Sequence, residues 1–184
     1  MSDRHSPTGL INPYLGMPEK PGFEVTSTEM AHGEFLPASA YNTPAGGNRS
    51  PQLSWSGFPE GTKSFVVTCF DPDAPTGSGF WHWAVANIPA EVTHLEAGAG
   101  DPAQRLLPEG AVTFPNETRE PAWTGAAPPE HTGVHHYWFV VHALDTDRIE
   151  LDPQATPAVL GFMMREHVLA RGILVAKGEF GKES

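Results

Sequence analysis

Residues 64–88 read Ser-Phe-Val-Val-Thr-Cys-Phe-Asp-Pro-Asp-Ala-Pro-Thr-Gly-Ser-Gly-Phe-Trp-His-Trp-Ala-Val-Ala-Asn-Ile. Ser64 to Phe70 is an apolar run with two valines, the pattern of a buried strand. Asp71-Pro72-Asp73-Ala74-Pro75 stops it abruptly, because neither proline can donate to a ladder. Thr76-Gly77-Ser78-Gly79 makes a turn of small residues, and Phe80 to Ile88 resumes as a second strand. Strands joined by Pro/Gly turns point to a mainly β fold.

The flanking sequence extends that pattern. Upstream lie a half-alternating strand over 22–30, a long loop over 37–51, a short strand from Gln52 to Trp55 and a turn from Gly57 to Gly61. Downstream, 89–110 is irregular, with one helical turn near Pro102 to Leu107, and Ala111 to Phe114 is a short strand. The loop over 115–133 is long enough to be functional or disordered, and Tyr137 to Leu144 is a strong strand. One helix is expected: Thr156 caps it, Pro157 takes its first position, Leu160, Met163/Met164 and Val168 recur at helical spacing, and Gly172 ends it. Ile173 to Val175 then forms a last strand. Residues 1–21, with four prolines, read as an extended arm, and 22–184 as a single domain. The sum is an antiparallel β architecture with one real helix near the C-terminus.

Composition narrows the function classes. The 184 residues include 19 Gly and 19 Pro but only 18% charged residues, which argues against a helical bundle. With 11 Lys+Arg against 22 Asp+Glu the net charge is −11, and no basic run exists to meet a polyanion. Nucleic acid is therefore excluded as an expected partner. No transmembrane segment and no signal peptide are visible, so a cytoplasmic protein is the expectation. A single cysteine, Cys69, cannot form an internal disulfide and reads as an inert buried thiol.

Strand alternation sorts the polar candidates. It places His82, Ala84 and Ala86 on one face and Trp81, Trp83 and Val85 on the other. In the later strand His135, Tyr137 and Phe139 share a face, so His135 and Tyr137 converge whereas His135 and His136 point apart. Nine histidines invite a metal hypothesis, and Asp71, Asp73, His82 and His135 are the residues that would form such a site. Yet no H-x-H, H-E-x-x-H or cysteine pair occurs, so no metal and no cofactor are expected. G-x-S-x-G, P-loop and dinucleotide signatures are also absent. Asp71 and Asp73 read as a turn cap or as an acid/base pair. Trp123, in a Gly/Pro loop, is the tryptophan expected to line a pocket.

Several ordered blocks make the chain recognisable. Gly47-Asn48-Arg49-Ser50-Pro51-Gln52-Leu53-Ser54-Trp55, Asp71-Pro72-Asp73-Ala74-Pro75, Phe80-Trp81-His82-Trp83, Asn87-Ile88-Pro89, Pro128-Pro129 and Gly133-Val134-His135-His136-Tyr137 occur in that order. With these blocks the chain resembles the phosphatidylethanolamine-binding proteins, also called Raf kinase inhibitor-like proteins, in their bacterial branch. The resemblance spans about residues 22–178. It implies an antiparallel β-sandwich with one or two peripheral helices. It also implies a small pocket for phosphate, acetate or a phosphoethanolamine headgroup, and regulation of a kinase or protease in some relatives. A homodimer is a further possibility that it raises.

By motif the implied ligand-binding residues are Asp71, Asp73, Pro75, His82, Ala127, Pro128, His135 and Tyr137. Ala127 is the loop position whose backbone N–H faces the anion in the family. The rim departs from the family's usual pattern. Gly125-Ala126-Ala127-Pro128-Pro129 stands where a cysteine is frequent, Asn116-Glu117-Thr118-Arg119 where Asn-Asp-Phe-Gly is, and His136 where arginine is. The competing reading of the same Asp/His pocket is hydrolysis of a small ester or phosphoester by acid/base catalysis.

Overall fold

The computed structural model describes residues 9–183. Its strands are β1 (Gly22–Thr26), β2 (Leu53–Ser56), β3 (Ser64–Asp71), β4 (Phe80–Pro89), β5 (His94–Leu95), β6 (Val112–Thr113), β7 (His135–Leu144) and β8 (Val168–Gly178). The one α-helix among the described residues is α1 (Pro157–Met164). The strands join in a single sheet of order β5-β2-β1-β8-β7-β3-β4-β6. All neighbours are antiparallel except β1 and β8, which run parallel through Gly22↔Arg171 and Phe23↔Gly172. The expected antiparallel sandwich is therefore corrected to one curled, mixed sheet.

The curl follows from where the apolar side chains go. Val25, Leu53 and Trp55 from the β1–β2 flank share one buried core with Phe65, Trp83, Phe139 and Leu174 from the central strands. The central strands are apolar on both faces, so their outer face needs covering too. Leu160 and Met164 of α1 pack there with Val66, Ala84, Ala86 and Val168. Leu10 and Tyr14, from the N-terminal segment, cover Trp138 and Val140. Within the described residues the arm is thus laid against the sheet.

Thr156 caps α1 as expected, its hydroxyl accepting from Val159 N–H at 3.3 Å with Pro157 at the first position. The helix nevertheless stops at Met164, well short of Gly172. From Val168 onward β8 pairs with β7 over its whole length, from Leu144↔Val168 to His135↔Gly178. Val168 satisfies a helical period, but it also opens the alternation Val168, Ala170, Gly172. Completing the ladder of β7 outweighs one more helical turn. Residues 102–107 form turns rather than a helix.

Candidate functional site

The site is built on an irregularity in β4. Cys69 faces Trp83, but the next residue, Phe70, faces Trp81, so His82 is an extra residue opposite a single step of β3. Such a β-bulge re-aims the side chains around it. Trp83 turns into the main core, Trp81 lies against Phe70 with ring centroids 4.4 Å apart, and Ala84 faces the α1 side. The expected face assignment is corrected accordingly: His82 does not share a face with Ala84 and Ala86. Its ring meets Tyr137 at 5.1 Å and Phe80 at 4.8 Å.

His82 is buried, and its Nδ1 is 2.7 Å from the Thr124 carbonyl. A carbonyl only accepts, so Nδ1 carries a proton and Nε2 is the nitrogen left uncommitted to Thr124. Burial pushes the imidazolium down, against the Thr124 carbonyl and the Asp71 charge, and the net direction is below the ordinary value. His82 is thus a neutral ring held in a fixed orientation.

Asp71 has no free oxygen. Oδ1 accepts from the backbone N–H groups of Asp73 at 2.8 Å and Ala74 at 3.1 Å, capping the Asp-Pro-Asp-Ala-Pro turn. Oδ2 takes the His135 Nδ1 proton at 2.7 Å, in a pair whose side chains are 3% and 2% exposed. One oxygen thus makes the expected turn cap, and the other is the partner of His135. On the other side of the ring His135 Nε2 lies 2.8 Å from Thr132 Oγ1, whose own proton reaches the Pro129 carbonyl at 2.7 Å. With that proton so placed, Nε2 must donate, and both ring nitrogens carry hydrogen. Burial opposes this charge, but the Asp71 hydrogen bond and the charges of Asp71 and Asp73 prevail, and the pKa of His135 is raised.

Tyr137 sits on the same face of β7 as His135, as alternation predicts. Burial and the Asp71 charge push its phenol far up, so it is a neutral donor. Its ring leans over Gly178 of β8, the partner of His135, and fits because that residue is glycine: a Cβ there would stand 2.6 Å from Tyr137 Cε2. Asp71, Pro75, His82, Ala127, Pro128, His135 and Tyr137 all line one cavity of about 330 Å³. Asp73 is not in its wall. Asp73 Oδ2 instead accepts from the backbone N–H and Nδ1 of His136, each at 2.8 Å, on the opposite face of β7.

The loops complete the walls. The loop after β6 follows the bulged strand, Glu117 N–H bonding to Trp81 O and Thr124 N–H to His82 O. Asn116 braces it, accepting from Thr118 and donating to Ala122 O. Asn48, from the Gly47–Trp55 block, accepts from Gly125 N–H at 2.7 Å. A Cβ at Gly125 would meet Ala40 O at 2.5 Å, so the loop packs too closely for any other residue. The Ala127 amide makes no hydrogen bond within the described residues. Asn42 and Thr118 also line the cavity, and the sequence reading missed both. Their only signal is membership of the two long loops. Trp123, expected in a pocket, is corrected to the core, stacked on Phe139 with centroids 5.9 Å apart. Among the described residues no group of three or more His, Cys, Asp or Glu is placed to hold a metal ion.

A curled mixed sheet that holds a carboxylate-oriented histidine, a tyrosine and a bulged histidine around a small cavity is the frame of a ligand-binding protein. The family model described as phosphatidylethanolamine-binding protein matches residues 26–179, and the chain belongs to that family. It is 48% identical over 151 residues to the UPF0098 protein YbcL of Escherichia coli (strain K12), covering 80% of this chain and 82% of YbcL. It is 42% identical over 156 residues to YbhB of the same organism, covering 83% and 98%. The crystal structure of E. coli YbcL, described as a new member of the mammalian PEBP family, superposes with a TM-score of 0.82 at 46% identity. That match covers 86% of this chain and 98% of that one. No helix among the described residues is long and apolar enough to cross a membrane.

Proposed function

We propose that the cavity between β4 and β7 binds a small anion, a phosphate-like or carboxylate headgroup, and that binding brings a proton with it. The observation that carries the reading is the committed hydrogen bonding of Asp71. Both its oxygens are spent on the protein, so its charge is turned toward His135 and the turn rather than toward a ligand. The neutral Tyr137 hydroxyl and the unpaired Ala127 amide remain as donors. His82 is neutral in the free protein, and its uncommitted Nε2 accepts. It can hold an anion by taking up a proton, or by accepting one from the ligand's own hydroxyl. Charge-assisted hydrogen bonds of this kind contribute roughly 1.5–3 kcal/mol each.

Acetate is the cleanest probe, because its charge does not change between pH 6 and pH 8. We expect saturable shifts of the His82 and Tyr137 NMR signals and tighter binding at pH 6. Full one-proton uptake weakens binding by about tenfold per pH unit. His82→Gln should remove the pH dependence and most of the affinity. Phosphate and phosphoethanolamine, titrated in parallel, separate a headgroup preference from simple anion binding. Equal or tighter acetate binding at pH 8, or no saturable shift, would overturn the reading. Turnover of nitrophenyl acetate that disappears with Asp71→Asn would establish the hydrolase alternative in its place.

A further inference from the structure

A second cavity, of about 580 Å³, lies on the other face of the sheet, between the N-terminal segment, the turn after β3 and α1. Its floor is the outer face of β3, β7 and β8, where three polar side chains interrupt an apolar surface. Thr68, His142 and Arg171 meet there: His142 and Arg171 are directly opposed partners on β7 and β8, and Thr68 Oγ1 is 3.3 Å from His142 Nε2. Among the described residues neither cationic-type side chain has an acidic partner. His142 is 1% exposed, and its Nδ1 is buried without a hydrogen-bond partner among the described residues. Among the described residues Arg171 lies under the Tyr14 ring, 5.0 Å from its centroid, and its side chain donates to the Pro18 carbonyl alone, at 3.5 Å, while its buried Nε has no hydrogen-bond partner. Burial pushes the Arg171 guanidinium down and the His142 imidazole down to about 3.

This is an unusual place for an unpaired guanidinium. The chain carries twice as many acids as bases, yet among the described residues none of the acids is set against Arg171. Leaving a cation half-buried without a counter-charge costs free energy. Thr68 and His142 satisfy one another through a shared hydrogen bond, so the Arg171 guanidinium is the group that fixes the charge of the ligand. Phe70, Trp81, Met164 and the exposed Phe162 and Met17 give the wall its apolar part, while Asn12, Thr76, Ser78 and Arg165 are its other polar positions, with Arg165 already paired to Glu166. A mostly apolar cavity of several hundred Å³ with a few convergent polar groups is the usual form of a small-molecule site.

We propose that this outer cavity is a second ligand site, separate from the His82 pocket, that takes an amphipathic monocarboxylate. The carboxylate sits on Arg171 beside His142, and the apolar body lies along Trp81, Phe70 and the exposed side of α1. The two sites occupy opposite faces of one sheet and share β3, β4 and β7. They differ in character: the inner one is small and rimmed by loops, and the outer one is larger and aromatic.

The test titrates phenylbutyrate and the isosteric phenylbutyramide into the whole chain by calorimetry, with tryptophan fluorescence as a second readout. The expected result is saturable binding of the acid, with the amide weaker by about tenfold or more because it cannot form the charge-assisted pair. Arg171→Gln should reduce acid binding by a similar factor, and His82→Gln should leave it unchanged. The acid–amide comparison needs no variant, so it stands even if Arg171→Gln folds poorly. Equal binding of acid and amide, binding of neither, or loss of acid binding in His82→Gln would each overturn the proposal.

Discussion

His82 shows what one inserted residue does. Period-two alternation places it with Ala84 and Ala86, and a regular β4 would separate it from Trp83. The bulge turns both toward the inner face and sends Trp81 outward. Nothing in the local alternation announces it, since Trp-His-Trp alternates cleanly with either register. The faces of β7 were legible because that strand pairs regularly with β3. Asp71 follows the same logic at atomic scale. Its place at the end of β3 was readable, but the division of its oxygens between the turn and His135 depends on a strand far away in sequence. Asp71→Asn should destabilise the fold by about 3 kcal/mol in urea unfolding, because it leaves His135 buried without its carboxylate. The raised pKa of His135 fixes a sign. Its contribution is fully present below the unfolded value of about 6.5 and is lost as pH rises through the folded value. The stability gap between the parent and His135→Gln should therefore be widest below about pH 6.5 and shrink in alkali.

His142 titrates in the opposite sense. Burial lowers it to about 3, so its neutral form is favoured in the fold and its contribution is present above the unfolded value. Between about pH 6.5 and pH 3 the unfolded chain takes a proton that the folded chain refuses, at a cost on the order of 4 kcal/mol by pH 3. His142→Gln should flatten the acid limb of the stability curve over that range. If the acid limb of the variant overlays that of the parent, His142 is not the group responsible.

Among the elements, α1 marks the limit of pattern reading. Its start was legible, because Thr156-Pro157 states the cap and the first position chemically. Thr156→Ala should cost about 1 kcal/mol, read as a lower urea midpoint at unchanged slope. Its end was not legible, because Val168 suits both a helix and a strand and only β7 decides. The cavity loops show a similar division. Their Gly and Pro content predicted loops, but the bond from Gly125 N–H to Asn48 joins two loops far apart in sequence. Gly125→Ala should displace that wall, since the new methyl would meet Ala40 O and Asn42 N within 2.6 Å. We expect weaker acetate binding in this variant even where circular dichroism is unchanged.

For the whole molecule, the strand content followed from composition and turn spacing, whereas the mixed topology did not. Period and turn signals say which segments are strands, but they carry no information on which strand accepts a parallel neighbour. That neighbour, β1 on β8, is formed by Gly22–Thr26 and Val168–Gly178. Its consequence lies in time rather than in energy. As the chain leaves the ribosome, β1 and β2 emerge before the other strands, but β8, which joins them to β7, follows all of them. Until then the β3–β4–β7 meander can pair internally, while the apolar edge of β7 and the inner side chains Val25 and Trp55 wait uncovered. Long-range pairing of this kind slows folding and prolongs exposure of sticky surface. Loss of the last few residues of β8 during synthesis would therefore harm this protein more than an equal loss from any peripheral strand, because β8 is the seam through which both halves of the sheet are closed.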